Sequence, residues 1–182
     1  MKRGRTCHFL LVLLMLVIAM APMTATAADD IAAHPNCPIC GMDRHQFAHS
    51  RMLITYTDGS RFGVCSLHCA ALELAYHPGK VPTKIEVADL DGKQLIDAET
   101  AIWVIGGKRM GVMTANAKWA FADPAAAKRF VADNGGKIAD FEAAMSAAYA
   151  DMYKDTRMIR EKRQRMKKMH SGQMSHGQKT HE

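Results

Sequence analysis

Residues 52–90 decide the fold, and they read MLITYTDGSRFGVCSLHCAALELAYHPGKVPTKIEVADL. Residues 52–57 alternate between core-facing and solvent-facing side chains, which is typical of a strand. Asp58-Gly59 is a hairpin turn sequence, because both residues accept the positive φ angles that tight turns need. Residues 62–65 supply a second strand, so the stretch begins as a β-hairpin.

A helix and a third strand complete this unit. Ser66 is a suitable N-cap for a helix over residues 67–76, which His77-Pro78-Gly79 stops. Residues 84–90 predict a third strand that ends at Asp91-Gly92. The order of elements is ββαβ.

The same order returns in the second half of the chain. Residues 101–105 predict a strand, and residues 110–113 and 119–121 predict extended segments. Asp123-Pro124 starts a helix, since an N-cap aspartate precedes a proline at the first helical position, and residues 137–141 form a last short strand. We therefore predict an α+β fold of tandem ββαβ units, which are two small antiparallel sheets that each carry a helix.

These patterns divide the chain into five segments. Within the first unit, residues 28–36 are expected to be a mobile lead-in. The predicted segments are a signal peptide (1–27), a first ββαβ unit with a Cys/Met metal motif (28–92), a second ββαβ unit (93–141), a C-terminal helix (142–169) and a disordered Met/His-containing tail (170–182).

The N-terminus has the three parts of a secretory signal. Lys2, Arg3 and Arg5 are the positive region, residues 9–20 are the apolar region, and Ala25-Thr26-Ala27 is a small-residue cleavage site. An uncleaved anchor is the alternative, which leaves membrane association open. We expect the protein to be exported, most naturally to a bacterial periplasm.

Composition and charge exclude two broad classes of protein. The 182 residues carry 24 Lys+Arg against 18 Asp+Glu, and 48% are hydrophobic, which excludes general disorder. Residues 28–153 hold 12 basic and 15 acidic side chains, whereas residues 154–182 hold 9 and 3. Because the positive charge comes from the tail, and no base-reading motif is present, we predict no nucleic-acid partner.

The mature chain keeps four cysteines in two close pairs, since Cys7 leaves with the signal. The pairs are Cys37/Cys40 and Cys65/Cys69. In an oxidising compartment four cysteines can form two disulfides. The spacing C-x2-C with C-x3-C also suits a metal site, and the two interpretations remain open.

The first pair belongs to a compact group of soft sulfur atoms. Cys37, Cys40 and Met42 lie within six residues, as C-P-I-C-G-M. Thiolate and thioether donors together select Cu(I), whereas a hard cation would require carboxylates. The alternative is a structural cysteine pair, with Met42 filling the core.

The second pair lies at the start of the predicted helix of the first unit. Cys65 ends a strand and Cys69 follows one helical turn later, so both can face one point. His68 is an alternative nitrogen ligand, or else a capping or surface histidine. A site that used all four sulfurs would be closed and structural, whereas a site that used some of them could pass metal on.

Further methionines and histidines follow. Met110 and Met113 lie three residues apart in a glycine-rich loop and can bind a soft ion, although a methionine pair is commonly part of a core. The tail is either an auxiliary metal collector or a solvated helix end. Its candidate ligands are Met166, Met169, His170, Met174, His176 and His181.

Catalytic patterns are missing. The sequence has no phosphate-binding glycine loop and no Ser/His/Asp order that places a nucleophile. Cys37/Cys40 precedes the first strand, so no βα unit sets a thiol at a helix N-terminus for redox catalysis. We predict a protein that is not an enzyme and has no small-molecule substrate.

Several motifs resemble the NosL family of copper proteins that accompany nitrous oxide reductase. They are CPICGM (37–42), the Asp-Gly hairpin, FGVCS (62–66), GKRMGVMTANAKWAFAD (107–123) and FVADNGGKI (130–138). The resemblance covers about residues 36–141. The first motif also occurs in heavy-metal-binding domains of the YHS and TRASH type.

The resemblance implies a fold of two ββαβ units and a periplasmic Cu(I) carrier for the assembly of the copper centre of nitrous oxide reductase. It carries the role of ligand over to Cys37, Cys40, Met42 and Met110 by position. We expect a Cu(I) metallochaperone in which Met110 or Met113 acts as a lid. The alternatives are an interaction module held by zinc or disulfides, and a heavy-metal scavenger.

Overall fold

The computed structural model describes the backbone of residues 27–177 and the side chains of residues 30–169. Residues 1–26 of the predicted signal peptide and residues 178–182 of the predicted tail lie outside this range. The elements within it are α1 (Ala27–Ala33), β1 (Met52–Tyr56), β2 (Arg61–Val64), α2 (Leu67–Tyr76), β3 (Pro82–Ala88), β4 (Leu95–Asp97), β5 (Ile102–Ile105), β6 (Lys118–Phe121), α3 (Pro124–Asn134), β7 (Lys137–Ala139) and α4 (Phe141–Gly177).

The first sheet has the strand order β2-β1-β3-β4, and all of its pairs are antiparallel. The predicted hairpin joins β1 to β2, with Gly59 at φ +79°. The predicted helix is α2. Strand β4 was not predicted, because three residues are too few to show an alternating pattern. It lies beyond residue 92, where the first predicted unit ends, and it pairs with β3.

The second sheet has the order β6-β5-β7 and is also antiparallel. The side chain of Asp123 accepts hydrogen bonds from the backbone N–H groups of Ala125 and Ala126, as expected of an N-cap, and Gly135 ends α3 at φ +75°. Both halves therefore show the predicted ββαβ order, and the predicted α+β class is confirmed.

Residues 110–113 do not form the extended segment that the sequence predicted. They belong to a loop between β5 and β6, and Met113 has a left-handed backbone at φ +61°. Gly106 and Gly107, also at positive φ, turn the chain out of β5 just before this loop. Residues in this conformation cannot continue a strand.

The two sheets share one hydrophobic core. The N–H of Leu90, just after β3, donates to the carbonyl of Ala120 in β6 at 2.9 Å, and Trp103 and Trp119 are buried between the elements. Helix α4 packs against α2 and β5, and its residues Ala144 and Ala148 are both buried. Its backbone stays helical to Gly177, beyond the predicted end at residue 169.

Among the described residues, no helix combines the length and the apolar composition that a membrane crossing requires.

Candidate metal centre

The two cysteine pairs come together in space. The sulfur atoms of Cys37, Cys40, Cys65 and Cys69 all lie within 4.8 Å of one another. The Sγ–Sγ distance is 3.4 Å for Cys40 and Cys65 and 3.7 Å for Cys65 and Cys69. All four are free thiols in this structure. The group of four is called the cysteine cluster below.

A tight turn presents the first pair. The N–H of Gly41 donates to the carbonyl of Cys37 at 2.7 Å, and the N–H of Cys37 donates to the carbonyl of Met42 at 2.8 Å. Gly41 has φ +79°, which a residue with a Cβ adopts only with strain. The turn therefore aims both thiols toward one point.

The junction of β2 and α2 presents the second pair. Cys65 directly follows β2, and Cys69 is the third residue of α2, four residues after Cys65. The hydroxyl of Ser50 donates to the carbonyl of Cys65 at 2.8 Å, which fixes this junction. Ser66 is the N-cap residue as predicted, but its hydroxyl makes no capping hydrogen bond.

A group of three buried charged residues ties these two segments together. Asp30 in α1 accepts hydrogen bonds from Arg44 at 2.7 Å and from Arg51 at 2.8 Å, and all three side chains are almost fully buried. Arg44 also donates to the carbonyls of His34 at 2.6 Å and Val64 at 3.2 Å, which flank the two halves of the site. We call Asp30, Arg44 and Arg51 the charged anchor.

The charged anchor corrects the expectation that residues 28–36 are a mobile lead-in. Burial opposes ionisation of Asp30, but hydrogen bonds and charge from Arg51 and then Arg44 outweigh it and lower the pKa of this carboxyl group. Sequence reasoning missed all three residues. No local signal could have found them, because charged side chains are normally exposed and nothing in their spacing indicates burial.

Exposure divides the site into an inner and an outer part. Cys37, Cys65 and Cys69 are buried, whereas Cys40 and Met42 are half-buried. The thioether sulfur of Met42 lies 4.0 Å from Sγ of Cys65. Arg163 of α4 donates to the carbonyl of Cys40 at 3.0 Å, so the far helix contacts the outer part directly. Sequence reasoning also missed this contact, which links residues far apart in the chain.

The thiols are close enough to share protons. Hydrogen bonds from Cys40, Cys65 and Cys69 hold the pKa of Cys37 far below its ordinary range. Hydrogen bonding to Cys37, together with burial, raises the pKa of Cys65 and of Cys69. These hydrogen bonds therefore favour the thiolate form at Cys37 over the thiolate forms of Cys65 and Cys69.

His68 is not brought into the cysteine cluster. It is buried, and its Nδ1 lies 3.9 Å from Oδ2 of Asp155 in α4. Neither atom has a hydrogen-bond partner among the described residues, and both residues line a small cavity beside Lys118. Burial lowers the pKa of His68. The predicted alternative nitrogen ligand thus faces away from the sulfur atoms, because neighbouring helical residues point about 100° apart.

The two methionines of the glycine-rich loop between β5 and β6 differ from each other in exposure. Met110 is 82% exposed, whereas Met113 is half-buried against the core. A role for either as a lid stays a prediction. Of the candidate ligands in the tail, Met166 and Met169 are exposed on α4, and the side chains from residue 170 onward lie outside the described range.

The geometry of the cysteine cluster suits a soft metal ion. The sulfur ligands of a tetrahedral site with bonds of about 2.3 Å lie about 3.8 Å apart. The two short Sγ–Sγ distances, 3.4 and 3.7 Å, are close to that value. Cysteine sulfur is a donor for Cu(I) and Zn²⁺, and not for Mg²⁺ or Ca²⁺.

Comparison with known proteins supplies the family. The sequence profile of NosL matches residues 28–149 of this chain. The chain belongs to the NosL family. The part that matches NosL contains both cysteine pairs, Met42 and the loop with Met110 and Met113, whereas Arg163 lies beyond it.

One solved structure that matches this chain is the crystal structure of the copper chaperone NosL from Shewanella denitrificans. It is 22% identical in sequence, the alignment covers 59% of this chain and 87% of that chain, and the TM-score is 0.48. No curated protein matches this NosL-family chain.

Proposed function

We propose that this protein is a copper chaperone that binds one Cu(I) ion at the cysteine cluster and passes it to a copper enzyme. The observation that carries the proposal is the convergence of four thiols, with a thioether 4.0 Å from one of them. Soft sulfur donors of this kind favour Cu(I). Membership of the NosL family supports the same assignment.

The exposure of the donors supports transfer of the ion. A carrier must hold its ion tightly and still offer a face where the ligands of a recipient can enter. Cys40 and Met42 are half-buried on the outer side of the cluster, while the other three thiols form a buried floor. A recipient could displace the outer donors first and the buried ones afterwards.

The protein would act without catalytic turnover, because it delivers one bound ion at a time. The NosL resemblance implies nitrous oxide reductase as the recipient. The predicted signal peptide implies that transfer takes place in the periplasm. Fractionation of cells that express the tagged chain, followed by copper transfer to copper-free nitrous oxide reductase, would test both points.

A second candidate function is a structural zinc site. It is favoured by the four thiols, because a closed set of four thiolate ligands is typical of structural zinc. Under this alternative the protein would need zinc to fold, and its function would lie in a protein-binding surface.

An anaerobic competition experiment separates the two candidates. The reduced protein is titrated with Cu(I) against a Cu(I) chelator, and separately with Zn²⁺ against a zinc chelator. We expect one Cu(I) to bind tightly, and Cys37→Ser to weaken Cu(I) binding by more than about 100-fold, since the loss of a residue that merely supports a metal ligand already lowers metal affinity by 10- to 100-fold. Met169→Leu, an exposed methionine on α4, should have little effect.

Circular dichroism of every variant without metal provides the control for folding. Equal losses of Cu(I) affinity in Cys37→Ser and Met169→Leu would refute the ligand assignment. Folding that depends on Zn²⁺, with no competitive Cu(I) binding, would establish the structural alternative in its place.

A further inference from the structure

The cysteine cluster contains more thiols than a bound Cu(I) ion needs. Cu(I) is satisfied by a small number of soft donors, and a pair of thiolates with a thioether is enough. The cluster offers four thiols and Met42. Two thiols are therefore left over, and two adjacent thiols are also a source of two electrons.

We propose that the cysteine cluster captures Cu(II) by reducing it, with Cys40 and Cys65 as the reducing pair and Cys37, Cys69 and Met42 as the donors that keep the Cu(I) formed. This inference rests on the proposed copper function and adds a reaction to it. The oxidant is Cu(II), the form in which copper exists under oxidising conditions.

The reaction balances. Two Cu(II) ions each take one electron and become Cu(I). The thiols of Cys40 and Cys65 each lose one electron and one proton, and a single S–S bond forms between them. One Cu(I) stays on the remaining sulfur donors, and the second leaves to an external acceptor or to another copy of the protein. Because the pair is consumed, each molecule reacts once until it is reduced again.

Distance and access select the reducing pair. The sulfur atoms of Cys40 and Cys65 are 3.4 Å apart, so bond formation at about 2.05 Å needs an approach of about 1.3 Å. Cys40 lies on the outer loop and is half-buried, so an incoming ion can reach it. Cys65 and Cys69, at 3.7 Å, are both fully buried and would have to react behind Cys40.

The donors that remain are suited to the product. The sulfur of Cys69 lies within 4.8 Å of that of Cys37, and the thioether of Met42 lies 4.0 Å from the sulfur of Cys65, the neighbour of these two thiols. A thioether cannot form a disulfide, so Met42 remains a ligand after the thiol pair has been used. Arg163 donates to the carbonyl of Cys40 at 3.0 Å, which ties the turn that carries Cys40 to α4.

The test uses the full chain with Cys7→Ser, so that only the cluster thiols are counted. The reduced protein is mixed anaerobically with two equivalents of Cu(II) sulfate. We expect the Cu(II) EPR signal to disappear, the number of free thiols to fall from four to two, and a digest to contain a peptide pair linked through Cys40 and Cys65. The fraction of this link that forms within one molecule should not depend on protein concentration, because both thiols belong to the same chain.

Two cysteine variants separate reduction from retention. Cys40→Ser should reduce Cu(II) at least about tenfold more slowly, because the remaining close pair, Cys65 and Cys69, is fully buried. Cys69→Ser keeps the reducing pair, so it should still consume two Cu(II) ions and form the same link. It should, however, release its Cu(I) to a chelator that the parent resists. Circular dichroism confirms that each variant is folded before copper is added.

Three results would overturn the inference. These are a persistent EPR signal, reduction that proceeds only through cross-linked dimers, and reduction by Cys40→Ser as fast as by the parent. A parallel experiment in which Cu(I) is supplied directly keeps this test distinct from the test of the proposed function. Tight Cu(I) binding without Cu(II) reduction would refute the inference alone, whereas failure to hold Cu(I) from either source would refute the copper function as well.

Discussion

Replacement of Asp30 by alanine is the sharpest test of how this fold supports its metal centre. The carboxylate accepts hydrogen bonds from both guanidinium groups of the charged anchor, at 2.7 Å from Arg44 and 2.8 Å from Arg51. Neither arginine side chain has any exposed surface. Without the carboxylate, two positive charges would remain buried next to each other and uncompensated.

The expected loss of stability is large. Removal of one partner of a buried ion pair costs about 3–5 kcal/mol, because the other charge stays desolvated. We expect about 4 kcal/mol for Asp30→Ala, out of the roughly 5–15 kcal/mol by which a domain is typically stable. Asp30→Asn keeps the shape and one acceptor oxygen, so we expect a smaller loss of about 2 kcal/mol.

The assay is urea unfolding of the reduced, metal-free protein at neutral pH. Asp133→Ala is the matched control, because Asp133 is exposed on α3 and its removal should change the free energy of unfolding by less than about 0.5 kcal/mol. Cu(I) should restore most of the lost stability, since a ligand at about 1,000 times its Kd adds about 4 kcal/mol to the folded state. A loss below about 1 kcal/mol in Asp30→Ala would refute the role given to the charged anchor.

The same residue predicts a dependence on pH. The pKa of Asp30 is lowered in the folded protein from its ordinary value of 3.8, so its contribution to stability is fully present above that value. It is lost as the pH falls below 3.8 and through the lowered folded-state pKa. The parent should therefore lose more stability than Asp30→Ala between about pH 5 and strongly acidic pH, as urea midpoints would show. Parallel acid profiles for the two proteins would contradict this.

Three further substitutions test the packing around the centre and its outer ligand. Gly63→Ala should destabilise the protein by about 1–3 kcal/mol in thermal unfolding, because the new Cβ would lie 2.7 Å from the guanidinium carbon of Arg44. Gly79→Ala is the control, since its new Cβ would have no atom within 4 Å and should leave the stability unchanged. Tyr56→Phe should cost about 1–3 kcal/mol in urea unfolding, since the tyrosine hydroxyl donates to the buried Glu73 carboxylate at 3.0 Å. An unchanged urea midpoint would show that another hydrogen-bond donor serves this carboxylate. Met42→Leu should weaken Cu(I) binding about tenfold while changing the free energy of unfolding in urea by less than about 1.5 kcal/mol. If the variant and the parent bind Cu(I) equally well in a chelator competition, the thioether is not a ligand.

Most of the regular structure could be predicted from the sequence, because its signals are local. The alternation in β1, the Asp-Gly turn, the limits of α2 and the N-cap at Asp123 each depend on a few neighbouring residues. Elements without such a signal were missed. Strand β4 is too short to show a period, and the loop at residues 110–113 looks extended until the positive φ of Met113 is known.

Some features of the candidate site follow from the sequence, and others depend on the tertiary structure. The sequence determines which donor atoms are available, because the cysteines at C-x2-C and C-x3-C spacing and Met42 supply soft sulfur, which favours a soft metal over a hard cation. The tertiary structure alone decides that the two pairs meet within 4.8 Å, that Arg163 contacts the outer loop and that Asp30 is buried between two arginines. It also decides which way α2 is rotated. The packing of α2 against α4 directs Cys69 to the sulfur atoms and its neighbour His68 to Asp155, and that rotation depends on contacts between residues far apart in the chain.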